Sequence, residues 1–135
     1  MNIKEKTICV CGSIKFAREM KEVAKKLESE GKAVIIPLSA RELDEKVARN
    51  ESYDRAKRKR DIDAINVHFQ EIERSDAILV LNHDKNGIKN YIGANTFLEM
   101  GFAHFLKKKI YLLNPLPDMP YLNDELAAFD TAVVK

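Results

Sequence analysis

Thr7-Ile-Cys-Val-Cys-Gly-Ser-Ile-Lys-Phe16 changes character at its centre. The β-branched run 7–11 predicts a short strand, and Gly12-Ser13 breaks it. From Phe16 onward apolar residues recur at helical spacing through Met20, Val23, Ala24 and Leu27 until Gly31, so a helix with a glycine stop follows. Residues 33–36 (AVII), closed by Pro37, are apolar without alternation, as a parallel strand buried on both faces requires. The unit is strand, helix, strand, with a right-handed crossover expected. Further along, residues 61–75 place Ile62, Ile65, Phe69 and Ile72 on one side of a second major helix. Ala77–Leu81 reads as a third strand, 95–106 as a helix and 110–113 as a fourth strand. The tail adds a short helix near 124–129 and an edge strand near 132–134. This alternation predicts an α/β fold: a flavodoxin-like or Rossmann-like doubly wound, mostly parallel sheet of about five strands with helices on both faces.

A chain of 135 residues encloses one core, so residues 1–135 are expected to form a single domain. An apolar fraction of 45% beside 33% charged residues describes a globular protein, and no run approaches the length of a membrane span. The amino terminus leads directly into a strand rather than a signal-peptide core, which predicts a cytoplasmic setting. Cys9 and Cys11 share one face of their strand and read as small buried hydrophobes. With no second cysteine pair, and His68, His83 and His104 in no ligand pattern, the spacing predicts neither a metal nor a cofactor. A net charge of +2 gives no argument for nucleic acid. Residues 39–60 interrupt the economy of the plan. They hold few large apolar side chains and end in the basic cluster 55–60, which reads as a solvated face or as a charged, lid-like insertion over the strand ends.

Chemistry is expected at the carboxyl ends of the strands, where open α/β sheets bind their ligands. Tyr91-Ile-Gly-Ala-Asn-Thr-Phe-Leu-Glu-Met-Gly-Phe-Ala103 puts Glu99 in the first turn of a helix at that edge, as a candidate reacting group. Thr96-x-x-Glu99 reads equally as a capping box that satisfies free N–H groups at the helix start. The first turn, Gly12-Ser13-Ile14-Lys15, offers a close backbone approach, a hydroxyl and a cation at a helix N-terminus, with Arg18 one turn on. That suits an anion, although a Gly-Ser turn is also a common cap. The turn is neither a Walker loop nor a Gly-x-Gly-x-x-Gly fingerprint, which disfavours an ATPase and a dehydrogenase.

Gly12-Ser13-Ile14-Lys15 with Arg18, Ser75-Asp76-Ala77, and Glu99-Met100-Gly101-x-Ala103 before Lys109-Ile110-Tyr111 together resemble the nucleoside 2-deoxyribosyltransferase superfamily. The 2'-deoxynucleoside 5'-phosphate N-hydrolase branch, with its similar Cys-Gly-Ser-Ile turn, looks nearest. The resemblance implies that Glu99 attacks an anomeric carbon and releases a base. It implies that Gly12, Ser13, Ile14, Lys15 and Arg18 hold a 5'-phosphate, and that chains associate as a homodimer or larger assembly. Small-molecule nucleotides or nucleosides are the implied partners. Lys15 stands where the branch has an arginine, which turns a bidentate grip into a point charge. His68 stands where the family commonly has an aspartate. It is a candidate general acid, or equally a packing residue on an apolar helix side. Gly93 occupies the stretch where the transferases keep an aspartate, which argues for hydrolysis over transfer. Asn95 and Thr96 read as helix caps or as donors to phosphate or sugar. In the loop 82–93, Asn82, His83 and Tyr91 read as base contacts or as parts of a chain reversal. The expected function is hydrolysis of the N-glycosidic bond of a nucleoside 5'-monophosphate, with base transfer or a non-catalytic nucleotide sensor as rivals.

Overall fold

A computed structural model of the chain describes residues 1–42 and 63–135. Five strands form one sheet in the order β2-β1-β3-β4-β5. They are β1 (Thr7–Gly12), β2 (Ala33–Ile35), β3 (Ala77–Leu81), β4 (Lys109–Leu112) and β5 (Thr131–Val133). Every pairing is parallel, and β1 lies between β2 and β3. The chain therefore reverses its direction of winding beside β1, and the gap beyond the carboxyl ends of β1 and β3 is the crevice where doubly wound sheets take ligands.

Strand alternation sorts the core into two layers. Ile8, Val10, Leu79 and Leu81 face Ala17, Met20 and Leu27 of α1 (Ala17–Ser29) and Ala40 of α2 (Leu38–Glu42). Cys9, Cys11, Ile78 and Val80 face the other way. There they meet Ile72 of α3 (Ala64–Glu73), Met100 and Ala103 of α4 (Ala94–Phe105) and Leu126 of α5 (Asn123–Ala128). All five residues of β3 are buried, as its unbroken apolar run requires. Each fully buried Leu or Ile here contributes about 1.5–3 kcal/mol relative to exposure. No helix among the described residues is long and apolar enough to cross a membrane.

α1 is preceded by a 3-10 turn at Ile14–Phe16, with Ser13 as its cap, and it ends at Gly31 (φ 87°), whose N–H donates to the Glu28 carbonyl at 3.0 Å. The start of α4 corrects the sequence reading. Phe97 N–H donates to the Gly93 carbonyl at 2.9 Å, which makes Gly93 the cap, and no side chain bonds the cap. Thr96 is thus already inside the helix, and Glu99 lies in the second turn rather than the first. The capping-box geometry is absent, and the acid is released from that duty. Of the insertion read at 39–60, residues 39–42 belong to α2; the rest, including the basic cluster at 55–60, lies outside the described residues.

Candidate active site

β1 ends against β3 so closely that a Cβ on Gly12 would stand 3.2 Å from the Leu81 carbonyl oxygen and 3.2 Å from the Met20 methyl. Only glycine lets the turn start there. Ser13 Oγ then accepts from the Lys15 N–H at 3.3 Å and from Lys85 Nζ at 2.9 Å. Lys85 is brought in by a two-residue hairpin. Asn86 and Gly87 both take positive φ (53° and 73°), and Lys85 and Ile88 exchange backbone bonds of 3.1 and 2.9 Å. Asn-Gly favours this turn because both central positions need left-handed backbone. Lys85 Nζ also sits 5.3 Å from the centre of the Tyr91 ring, within cation–π range. The result is a rim carrying a hydroxyl, the ammonium of Lys85 and the Lys15 side chain.

Below this rim a cavity of about 350 Å³ runs down to Glu99 and His68. That volume falls in the range of small-ligand sites. Glu99 is 3% exposed and His68 4%. Glu99 Oε2 lies 3.0 Å from His68 Nε2, while Oε1 is buried with no hydrogen-bond partner among the described residues. On the other side of the ring, His68 Nδ1 is 3.6 Å from Glu71 Oε1, an ion-pair contact, and Arg41 donates to Glu71 Oε2 at 3.0 Å. A line of side chains, Arg41, Glu71, His68 and Glu99, exposed at its Arg41 end and buried from Glu71 inward, thus joins α2, α3 and α4.

Burial is the largest single influence and alone would discharge His68, but the Glu99 carboxylate and the contacts with Cys9, Glu71 and Glu99 together outweigh it; the imidazole pKa rises to about 12. Burial also pushes Glu71 up, yet its contact with His68 and the Arg41 charge win and hold it below the ordinary value. Under the ring, Cys11 Sγ is 3.5 Å and Cys9 Sγ 3.7 Å from His68 Nε2. A hydrogen bond from Cys11 overcomes burial and, with His68, draws the Cys9 thiol down to about 6, whereas burial pushes the Cys11 thiol up.

Of the residues singled out in the sequence, Gly12, Ser13, Ile14, Lys15, His68, Tyr91, Gly93, Asn95, Thr96 and Glu99 all line this cavity. Arg18 does not. Its side chain is 54% exposed, with Nε 3.7 Å from Glu19 and 4.0 Å from Glu22, because its position on α1 points along the helix surface. Asn82 is not part of the lining either. It is buried and braces the chain after β4, donating to the carbonyls of Asn114 (2.8 Å) and Pro115 (3.1 Å) and accepting from the Asn114 N–H at 2.9 Å. His83 lies away from the cavity, edge-on to Phe16 at 5.0 Å, and His104 rests against Phe129 at 5.1 Å. Sequence reasoning passed over Lys85, Glu71 and Arg41. The Asn86-Gly87 dipeptide announces the hairpin that aims Lys85, and Glu71 stands three residues after His68, one helical turn on. It also treated Cys9 and Cys11 as mere packing, whereas both sulfurs touch the site histidine.

No family model and no curated protein sequence matches the chain. Among solved structures, it resembles a 2-deoxyribosyltransferase from the psychrotolerant bacterium Bacillus psychrosaccharolyticus, described as a biocatalyst for the synthesis of antiviral and antitumoral nucleosides. The two share 14% identity with a TM-score of 0.58, and the match covers 92% of each chain. The fold is nucleoside 2-deoxyribosyltransferase-like, as the sequence motifs implied.

Proposed function

We propose that this chain cleaves the N-glycosidic bond of a nucleoside 5'-monophosphate or related nucleotide, with Glu99 as nucleophile. The observation that carries this reading is one cavity joining the Ser13 turn and its lysines to a buried, histidine-paired carboxylate. Lys15, Lys85 and the Ser13 hydroxyl would hold the 5'-phosphate, and Tyr91 would flank the sugar or base. Glu99 attacks the anomeric carbon. The C–N electron pair leaves with the base, and a glycosyl ester forms, splitting one hard displacement into two easier ones.

His68 acts as the proton donor by a coupling already present in the pair. Its proton is held largely by the charge of Glu99. Once Glu99 becomes an ester that charge is gone, burial dominates, and the proton is released as the departing base needs one. The neutral imidazole can then take a proton from the water that opens the ester. Transfer of the sugar to a second base is the other reading, favoured by the fold match to a 2-deoxyribosyltransferase.

Two further features belong to the same reading. Leu98 and Phe105, seven residues apart on one side of α4, are 53% and 79% exposed, and they suit association between copies of the chain. Light scattering behind a sizing column should give a homodimer or larger assembly that Leu98→Asp/Phe105→Asp reduces to monomer. The two free cysteines suit a reducing, cytoplasmic setting. The central test is incubation with a panel of nucleoside 5'-monophosphates and free nucleosides, with chromatography for released base. Base release from monophosphates that is abolished in Glu99→Gln is the expected result. Release only when a second base is present would favour transfer, and release from neither class would overturn the proposal.

A further inference from the structure

The thiols of Cys9 and Cys11 have no part in the glycosidic chemistry, yet both are fully buried and both approach the ring nitrogen that pairs with Glu99. The two sulfurs and a ring nitrogen of His68 all lie within 4.8 Å of one another. The Nε2 contacts of 3.5 and 3.7 Å match the separation between neighbouring ligands around tetrahedral zinc, about 3.5 Å for sulfur and nitrogen at ordinary bond lengths. The remaining features are those a metal site needs. Glu99 Oε2 stands 3.0 Å from the same nitrogen as a fourth donor, and its other oxygen is buried without a hydrogen bond among the described residues. On the far ring nitrogen Glu71 provides the carboxylate that orients a ligating histidine, and Arg41 fixes Glu71. His68 and Glu99 both form cavity wall, so an ion has a path from solvent.

We propose that Cys9, Cys11 and His68, with Glu99 as the fourth donor, form a binding site for a zinc-class divalent cation, and that filling it closes the active site. Two thiolates and an imidazole select a borderline-soft tetrahedral metal and disfavour magnesium or calcium. On binding, His68 Nε2 and each sulfur that still carries a proton give that proton to solvent, two sulfur–metal bonds and one nitrogen–metal bond form, and the carboxylate adds an oxygen. No electrons change hands. The metal then occupies the oxygen that would attack and the nitrogen that would donate a proton. Inhibition rests on the glycosidase reading; binding does not.

Cobalt(II) is the probe, added to the reduced, chelator-treated full chain. The expected result is one ion per chain, thiolate-to-cobalt charge-transfer absorption with strong tetrahedral visible bands, and displacement by zinc. Cys11→Ser and Cys9→Ser should remove the charge-transfer band. Glu71→Gln, which leaves every ligand in place, should weaken binding by about 10–100-fold. Absence of a thiolate band in the wild type, or a band that survives in both serine variants with unchanged circular dichroism, overturns the site. Zinc should suppress base release, a chelator should restore it, and in Cys11→Ser the ratio of rates with and without zinc should approach one. A bound, thiolate-ligated metal that leaves turnover unchanged overturns the inhibitory role. A chain that binds cobalt as described but releases no base in metal-free buffer refutes the glycosidase reading while leaving the site intact.

Discussion

Glu99 and His68 are distinguished by what each does to the other. A carboxylate with 3% exposure is expensive to keep charged unless paired, and His68 Nε2 at 3.0 Å supplies that pairing while Glu71 and Arg41 balance the far side of the ring. Glu99→Gln keeps the size and the contact with His68 but removes the anion proposed to attack. Base release should fall by about 10³-fold or more, with the circular dichroism unchanged, since a transition-state role is lost rather than a packing one. Retention of more than a tenth of wild-type turnover would remove Glu99 as nucleophile. His68→Leu tests the pair from its other end. It leaves Glu99 buried without its cation and Glu71 with Arg41 alone, and urea titration should show a loss of about 3–5 kcal/mol. A change within experimental scatter would mean that His68 makes no stabilising ion pair in the fold.

Among the elements, the strands followed from the sequence pattern, because parallel strands buried on both faces write themselves as unbroken apolar runs such as Ala77–Leu81; the run at 33–36 is the exception, since β2 is an edge strand with Ala33 exposed. The start of α4 was less legible. Thr96-x-x-Glu99 has the spacing of a capping box, yet the Gly93 carbonyl takes the first helical bond, a backbone event that side-chain types do not encode. The partners of His68 were hidden for a different reason. Cys9 and Cys11 lie 59 and 57 residues away in the chain, and only the packing of α3 on β1 brings them to the ring. Lys85 is the intermediate case, since its position depends on a hairpin of Asn86 (φ 53°) and Gly87 (φ 73°) that the dipeptide does advertise. Gly87→Val puts a β-branched residue where left-handed backbone is needed, at about 1–2 kcal/mol for that conformation. On the proposed role of Lys85 as a phosphate grip remote from the reacting bond, KM for the monophosphate should rise several-fold with kcat little altered. An unchanged KM would detach the hairpin from phosphate recognition.

Across the whole molecule, the buried cluster couples the active site to global stability through pH. His68 holds its proton up to about 12 when folded against an ordinary 6.5, so its contribution is complete below about 6.5 and is lost as pH rises toward 12. Cys9 works in the opposite sense. Its folded value of about 6 lies below the ordinary 9.0, so its contribution is complete above 9 and is lost as pH falls through 6. Between 6.5 and 9 the folded chain holds one proton more on His68 and one fewer on Cys9 than the unfolded chain, and the two slopes cancel. Above 9 only the His68 slope remains, joined by Cys11, whose burial keeps its thiol protonated, and by Tyr111, raised by burial and by Glu5. Urea titrations in chelator and reductant should therefore give a plateau between pH 6.5 and 9 and a decline above it. Cys9→Ser removes the compensating slope, and its decline should begin near pH 6.5 instead. The faces that set these values come from β1 (Cys9, Cys11), α3 (Glu71) and α4 (Glu99), so a Cys9→Ser profile that stays flat to pH 9 would show that the imidazolium and the Glu99 carboxylate do not coexist as an ion pair in the folded chain.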